Sequence, residues 1–151
     1  MAISITTAMP TSFKVEILKA VHNFTTSTGN TFKIALFVST AAGSGTFGAA
    51  TTNYSDMGAD QLPTATGYTQ TGNTLTSVTP VADGTTAICD FADTTWTSAT
   101  FTTSGALIYN SSASGAACAV LSFSGDQQVS SGDFTIQFPV AAAATAIIRI
   151  A

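Results

Sequence analysis

Phe32, Ile34, Leu36 and Val38 occupy every second position, with Lys33 and Ala35 between them, and this period of two constrains the fold more than any other feature of the chain. Successive side chains of an extended strand point to opposite faces, so the pattern predicts a half-buried strand. The alternation returns at Phe134, Ile136 and Phe138, with Thr135 and Gln137 on the other face, behind a Ser130-Ser131-Gly132-Asp133 turn. Shorter strand patterns at 74–78, 85–91, 100–103, 106–109, 117–123 and 146–150 are divided by clusters of Gly, Asn, Asp and Ser. Seven or eight short strands with frequent turns predict a mainly β chain, an antiparallel β-sandwich or a jelly-roll-like barrel.

One segment breaks that rhythm. Apolar residues at 13, 17, 20, 21 and 24 follow the spacing of a single helical face, which predicts an N-terminal helix over 11–23. Pro10, with Thr11 and Ser12 as caps, marks its start; Asn23 and a Thr-rich run mark its end. Lys14, Glu16, Lys19 and His22 then fall on its polar side. Residues 1–9 read as an arm reaching outward, and 39–72 as a loop-rich insertion that either contacts a partner or hides short strands. All of this fits one domain over 1–151.

Composition narrows the function classes. Only 8% of residues are charged while 45% are hydrophobic, so the surface must be largely neutral and rich in Ser and Thr. Such a surface is a weak defence against association. A formal charge of −4, with only Lys14, Lys19, Lys33 and Arg149 as cations, argues against nucleic-acid binding, which needs clustered Lys and Arg. No apolar run approaches a membrane span, and the first residues lack the basic and apolar regions of a secretory signal, so an unprocessed, intracellularly made chain is expected.

The search for chemistry returns structural readings. His22, the single histidine, sits on the polar side of the expected helix, and no G-x-S-x-G elbow supplies it with a nucleophile. Asp83, Asp126 and Asp133 each adjoin a glycine, a turn setting in which Asp satisfies local backbone donors. Asp90 and Asp93 flank Phe91 without the D-x-D-x-D-G spacing of a calcium loop, and no glycine-rich phosphate cradle is present. Cys89 and Cys118 lie in apolar runs and read as buried thiols, with a cross-strand disulfide as the lesser alternative. Trp96, with Phe91 and Phe101, reads as core; an alternative is a sugar-binding platform of Trp96, Tyr54, Tyr68 and Tyr109. Asn23, Asn53 and Asn110 begin sequons that chance explains in a chain so rich in Ser and Thr. No catalytic, cofactor or metal residue is assigned.

Several segments taken together resemble a family. They are Ser12-Phe13-Lys14 with Val21-His22-Asn23-Phe24, Thr31-Phe32-Lys33-Ile34-Ala35-Leu36, Gly67-Tyr68, and Asp90-Phe91-Ala92-Asp93. They continue with the Gly105–Asn110 run, then Gly132-Asp133-Phe134-Thr135-Ile136-Gln137-Phe138-Pro139, and finally Ala146-Ile147-Ile148-Arg149-Ile150. Together they look like a group of small virion proteins of tailed bacteriophages. The resemblance implies a non-enzymatic structural protein in many copies on a particle, foremost a capsid decoration (cement) protein that binds the major capsid protein as a trimer or dimer. A tail-tube or tail-fibre component and a carbohydrate-binding β-sandwich module are the alternatives.

Overall fold

The computed structural model describes residues 1–151. It is mainly β, with two antiparallel sheets and one helix. In chain order the strands are β1 (Ser4–Ile5), β2 (Phe32–Leu36), β3 (Thr46–Phe47), β4 (Asn73–Thr74), β5 (Ser77–Asp83), β6 (Thr86–Phe91), β7 (Thr94–Asn110), β8 (Ala116–Ile136) and β9 (Ile148–Ile150); helix α1 (Thr11–Leu18) follows β1. One sheet has the order β4-β2-β7-β8 and the other β5-β6-β9. A short parallel pair, β1 with β3, stands apart from both.

The first sheet is buried on both faces around β2 and the adjoining ends of β7 and β8, which corrects the half-buried reading of β2. Ile34, Leu36, Ala106 and Ile108 point into a core shared with Phe13, Phe24, Phe91 and Ile148, the side on which α1 and the second sheet lie. Ala35, Phe37, Leu107 and Tyr109, at the intervening positions, point into a second core with Ile3, Phe47 and Met57. Period two still governs the strand, but both of its faces meet apolar neighbours.

That second core explains the segments expected to reach outward. β1 pairs with β3, Ala8 bridges Val120, and Ile3 is buried, so the N-terminal residues form a strap and not a free arm. Residues 39–72 are loop-rich, as expected, yet fold down onto both cores. Phe47 and Met57 are buried in the second core and Leu62 and Tyr68 in the first, and Phe37 bridges Gln61. Asn53 caps a broken 3₁₀ segment, Tyr54–Asp60, by accepting from Ser55 N, while Asp56 accepts from Thr52 N and Asn53 N.

Four expected strands merge into two long ones. β7 and β8 form one hairpin of 17 and 21 residues, and the Gly- and Ser-rich stretches inside it are bulges instead of turns. Thr103 faces Gln127 and Gly105 faces Ser122, so Ser104 alone stands opposite residues 123–126. Such bulges bend a strand without ending it. No helix is long and apolar enough to cross a membrane.

Candidate functional site

The helix ends earlier than its apolar spacing predicts, and this ending builds a buried polar cluster around His22. Ala20 adopts a left-handed backbone, φ +56°. Ala20 N donates to Ile17 O and Val21 N to Glu16 O, the paired bonds that close a helix C-terminus. The chain therefore turns back at Lys19, and His22 leaves the expected polar helix face to lie beneath the helix. Its side chain is 0% exposed. The N-terminus also differs from expectation: Pro10 is the N-cap, and neither Thr11 nor Ser12 caps with its side chain.

His22 is held at both ring nitrogens. Nε2 lies 2.9 Å from Glu16 Oε2, and Nδ1 lies 3.0 Å from Asn110 Nδ2. Asn110 Oδ1 accepts from Ala113 N, and its Nδ2 also donates to Asn30 Oδ1, so the amide orientation is fixed and Nδ1 of His22 must accept. The ring proton is thereby placed on Nε2 and donated to Glu16. Asn30 in turn accepts from Asn23 N, which closes the loop between helix and β2. Gly29 permits that closure, because a Cβ there would sit 2.4 Å from Asn23 O. Phe13, with a ring centroid 4.8 Å from that of His22, and Phe24 and Phe32, slightly farther away, surround the imidazole.

Cys118 Sγ lies 3.9 Å from His22 Nδ1, so a thiol, an imidazole and a carboxylate stand in line. That order resembles a nucleophile, its base and an orienting acid. Every other property opposes reaction. Cys118 is fully buried, and burial, reinforced by the charge of Glu16, pushes its thiol pKa up, away from the reactive thiolate. Nδ1 is also already occupied by Asn110. The cluster ties α1, the loop before β2 and the β7–β8 turn together.

The remaining predicted positions are scattered. Cys89 and Cys118 are free, buried thiols, and burial pushes Cys89 up to about 12. Trp96 is core, 3% exposed, edge-on to Phe101, and its Nε1 has no hydrogen-bond partner. Tyr68 and Tyr109 are also buried, and Tyr54 stacks on Tyr109, so these aromatics form no open sugar platform. Asp83, Asp126 and Asp133 accept backbone N–H bonds from Ala143, Thr40 and Ser98, partners distant in sequence. Asp93 accepts from Phe138 N, Asp90 Oδ1 is buried without a partner, and no three His, Cys, Asp or Glu side chains gather for a metal. Of the three sequon residues, Asn110 is buried, while Asn53 and Asn23 accept from nearby backbone N–H groups.

The outer side of α1 has the opposite character. A groove of about 360 Å³ runs between the helix and β9, walled by Phe13, Ile17 and Leu18 on one side and Ile148 and Ile150 on the other. Leu18 is 88% exposed and Ile150 56% exposed. Lys14 and Arg149 stand on its rim, and no carboxylate side chain lines it. β9 pairs with β6 along one edge, and no strand pairs with the other.

No family model, curated protein or solved structure matches the chain.

Proposed function

We propose that the protein is a non-enzymatic structural component of a virus particle, a capsid decoration protein that acts by packing many copies onto the major capsid lattice. One observation carries the reading: in the single thiol–imidazole–carboxylate constellation the thiol and the imidazole are buried, whereas the surface offers an open apolar groove between α1 and β9. Such a surface is suited to packing. Low charge supports it, since 8% charged residues leave few barriers to close approach. The likeness to small tailed-phage virion proteins supplies the setting. Repetition over a lattice lets modest contacts add up. The outer edge of β8 beyond Ser122, unpaired by any strand, offers a route to a trimer or dimer.

Particles assembled with and without the protein test this directly. Decorated particles should melt at a higher temperature and carry the protein in a fixed ratio to the shell subunit. Equal heat stability of the two would overturn the decoration role, and immunogold label confined to tails would move the protein to the tail.

A further inference from the structure

The groove between α1 and β9 carries a charge pattern unlike the rest of the chain. Lys14 and Arg149 are on its rim and Lys19 caps the same helix, so three of the four cations of a chain with net charge −4 lie at one end. The fourth, Lys33, is committed elsewhere, donating to Thr71 Oγ1. Glu16, the acid on the helix, is taken up by His22. Arg149 bonds the carbonyls of Ala143 and Ala144 through Nη1, which leaves its other guanidinium N–H groups for a ligand.

We propose that this groove docks an extended, acidic and apolar segment of a different polypeptide, added as a strand to the free edge of β9. Its apolar residues would cover Leu18 and Ile150, and its carboxylates would meet Lys14 and Arg149. Strand addition uses main-chain bonds for affinity and alternate side chains for selectivity, which matches a free strand edge beside an apolar wall. Charge argues against a second copy as the occupant: a two-fold pairing of this face would bring Lys14 and Arg149 of both copies together. The inference uses the groove on which the virion reading also draws, but it needs no particle, only this face and an acidic strand.

The test uses the full chain and two labelled eight-residue peptides, one alternating valine with glutamate and one alternating valine with lysine, followed by fluorescence anisotropy. The glutamate peptide should bind with a dissociation constant on the order of 0.1 mM and weaken as salt is raised. Leu18→Glu should weaken it by about tenfold or more, and Lys14→Glu with Arg149→Glu should reverse the preference to the lysine peptide. Because these side chains are exposed, far-UV circular dichroism of the variants should be unchanged. Equal binding of the two peptides, or binding of neither, would overturn the proposal. So would a dimer in light scattering that Leu18→Glu dissolves, which would make the occupant a second copy. Co-sedimentation with phosphatidylserine vesicles, lost in Leu18→Glu while the peptides stay unbound, would equally replace it with a lipid surface. Failure here leaves the particle-melting result intact, so the two readings fail separately.

Discussion

Toward the core, α1 sets Phe13 against the His22 ring and Glu16 on its Nε2; toward solvent, the same helix shows Leu18 and, in part, Val15. The helix buries Phe13 and exposes Lys14 as a surface helix should, but a polar contact on the inside and an exposed Leu18 on the outside depart from the common arrangement. The inner side is consistent because every polar atom of the His22–Asn110 pair has a partner, which is what makes a buried polar group tolerable. The outer side has no such closure within the chain. The comparison teaches that exposure, not residue type, separates what holds this fold from what is left for a partner: the histidine is structural and the leucine is available.

The largest expected effect breaks the inner side from within its core. Burial pushes Cys89 from 9.0 to about 12 and Tyr68 from 10.0 to about 12, and raises Cys118 and Tyr109 as well. Each group ionises more easily in the unfolded chain, so the folded state holds more protons above pH 9. Stability is then complete below the unfolded pKa values and falls as pH rises toward the folded ones. Urea midpoints should be flat from neutrality to about pH 9 and drop steeply between about pH 9 and 12, with both thiols becoming reactive to iodoacetamide over the same range. A midpoint unchanged at pH 11 would contradict the burial of these four groups.

Next in size is Asn110→Ala. It strips His22 Nδ1 and Ala113 N of their Asn110 partner and takes one of two donors from Asn30 Oδ1, at a side chain with no access to water. Leaving buried polar groups unpaired should cost about 2–4 kcal/mol, read as a lowered urea midpoint at unchanged slope. The same change at exposed Asn23, which accepts from Thr25 N, should cost about 1 kcal/mol or less, and equal losses at both would deny the inner cluster its special status.

How far the sequence foretold these two sides follows from what each signal depends on. The alternation at β2 and the apolar settings of Cys89, Cys118 and Trp96 were legible because burial of a strand leaves a periodic trace. The long β7–β8 hairpin was not, because Ser104-Gly105 and Ser124-Gly125-Asp126 have turn composition and only cross-strand pairing makes them bulges. The His22 cluster was illegible for a different reason. Its members come from residues 16, 22, 30, 110 and 118, and its assembly hinges on a left-handed Ala20, where glycine would have announced the helix end. A polar Asn110 closing the apolar run Ala106–Tyr109 was the one faint signal. The outer groove left a partial trace: Leu18 is an apolar residue outside the 13, 17, 20, 21, 24 face.

Ala20 itself offers a smaller, stabilising test. A side chain in the left-handed region is strained, and glycine removes the strain at the very turn that sends His22 inward. Ala20→Gly should raise stability by about 0.5–1 kcal/mol, measured as a higher melting temperature with an unchanged spectrum. A loss would mean that Ala20 makes packing contacts outweighing its backbone strain.

The smallest expected effect sharpens the comparison most. Leu18, at 88% exposure, contributes almost nothing to the core, so Leu18→Ser should change unfolding stability by no more than about 0.5 kcal/mol. Phe13→Ala, one helix face away and fully buried, should cost about 3–5 kcal/mol in the same urea titration. The two substitutions remove apolar surface from one eight-residue helix, and the main difference between them is which way that surface faces. A Leu18→Ser loss approaching that of Phe13→Ala would mean that the leucine is covered in solution by the protein itself, and the outer side of α1 would then belong to the fold after all.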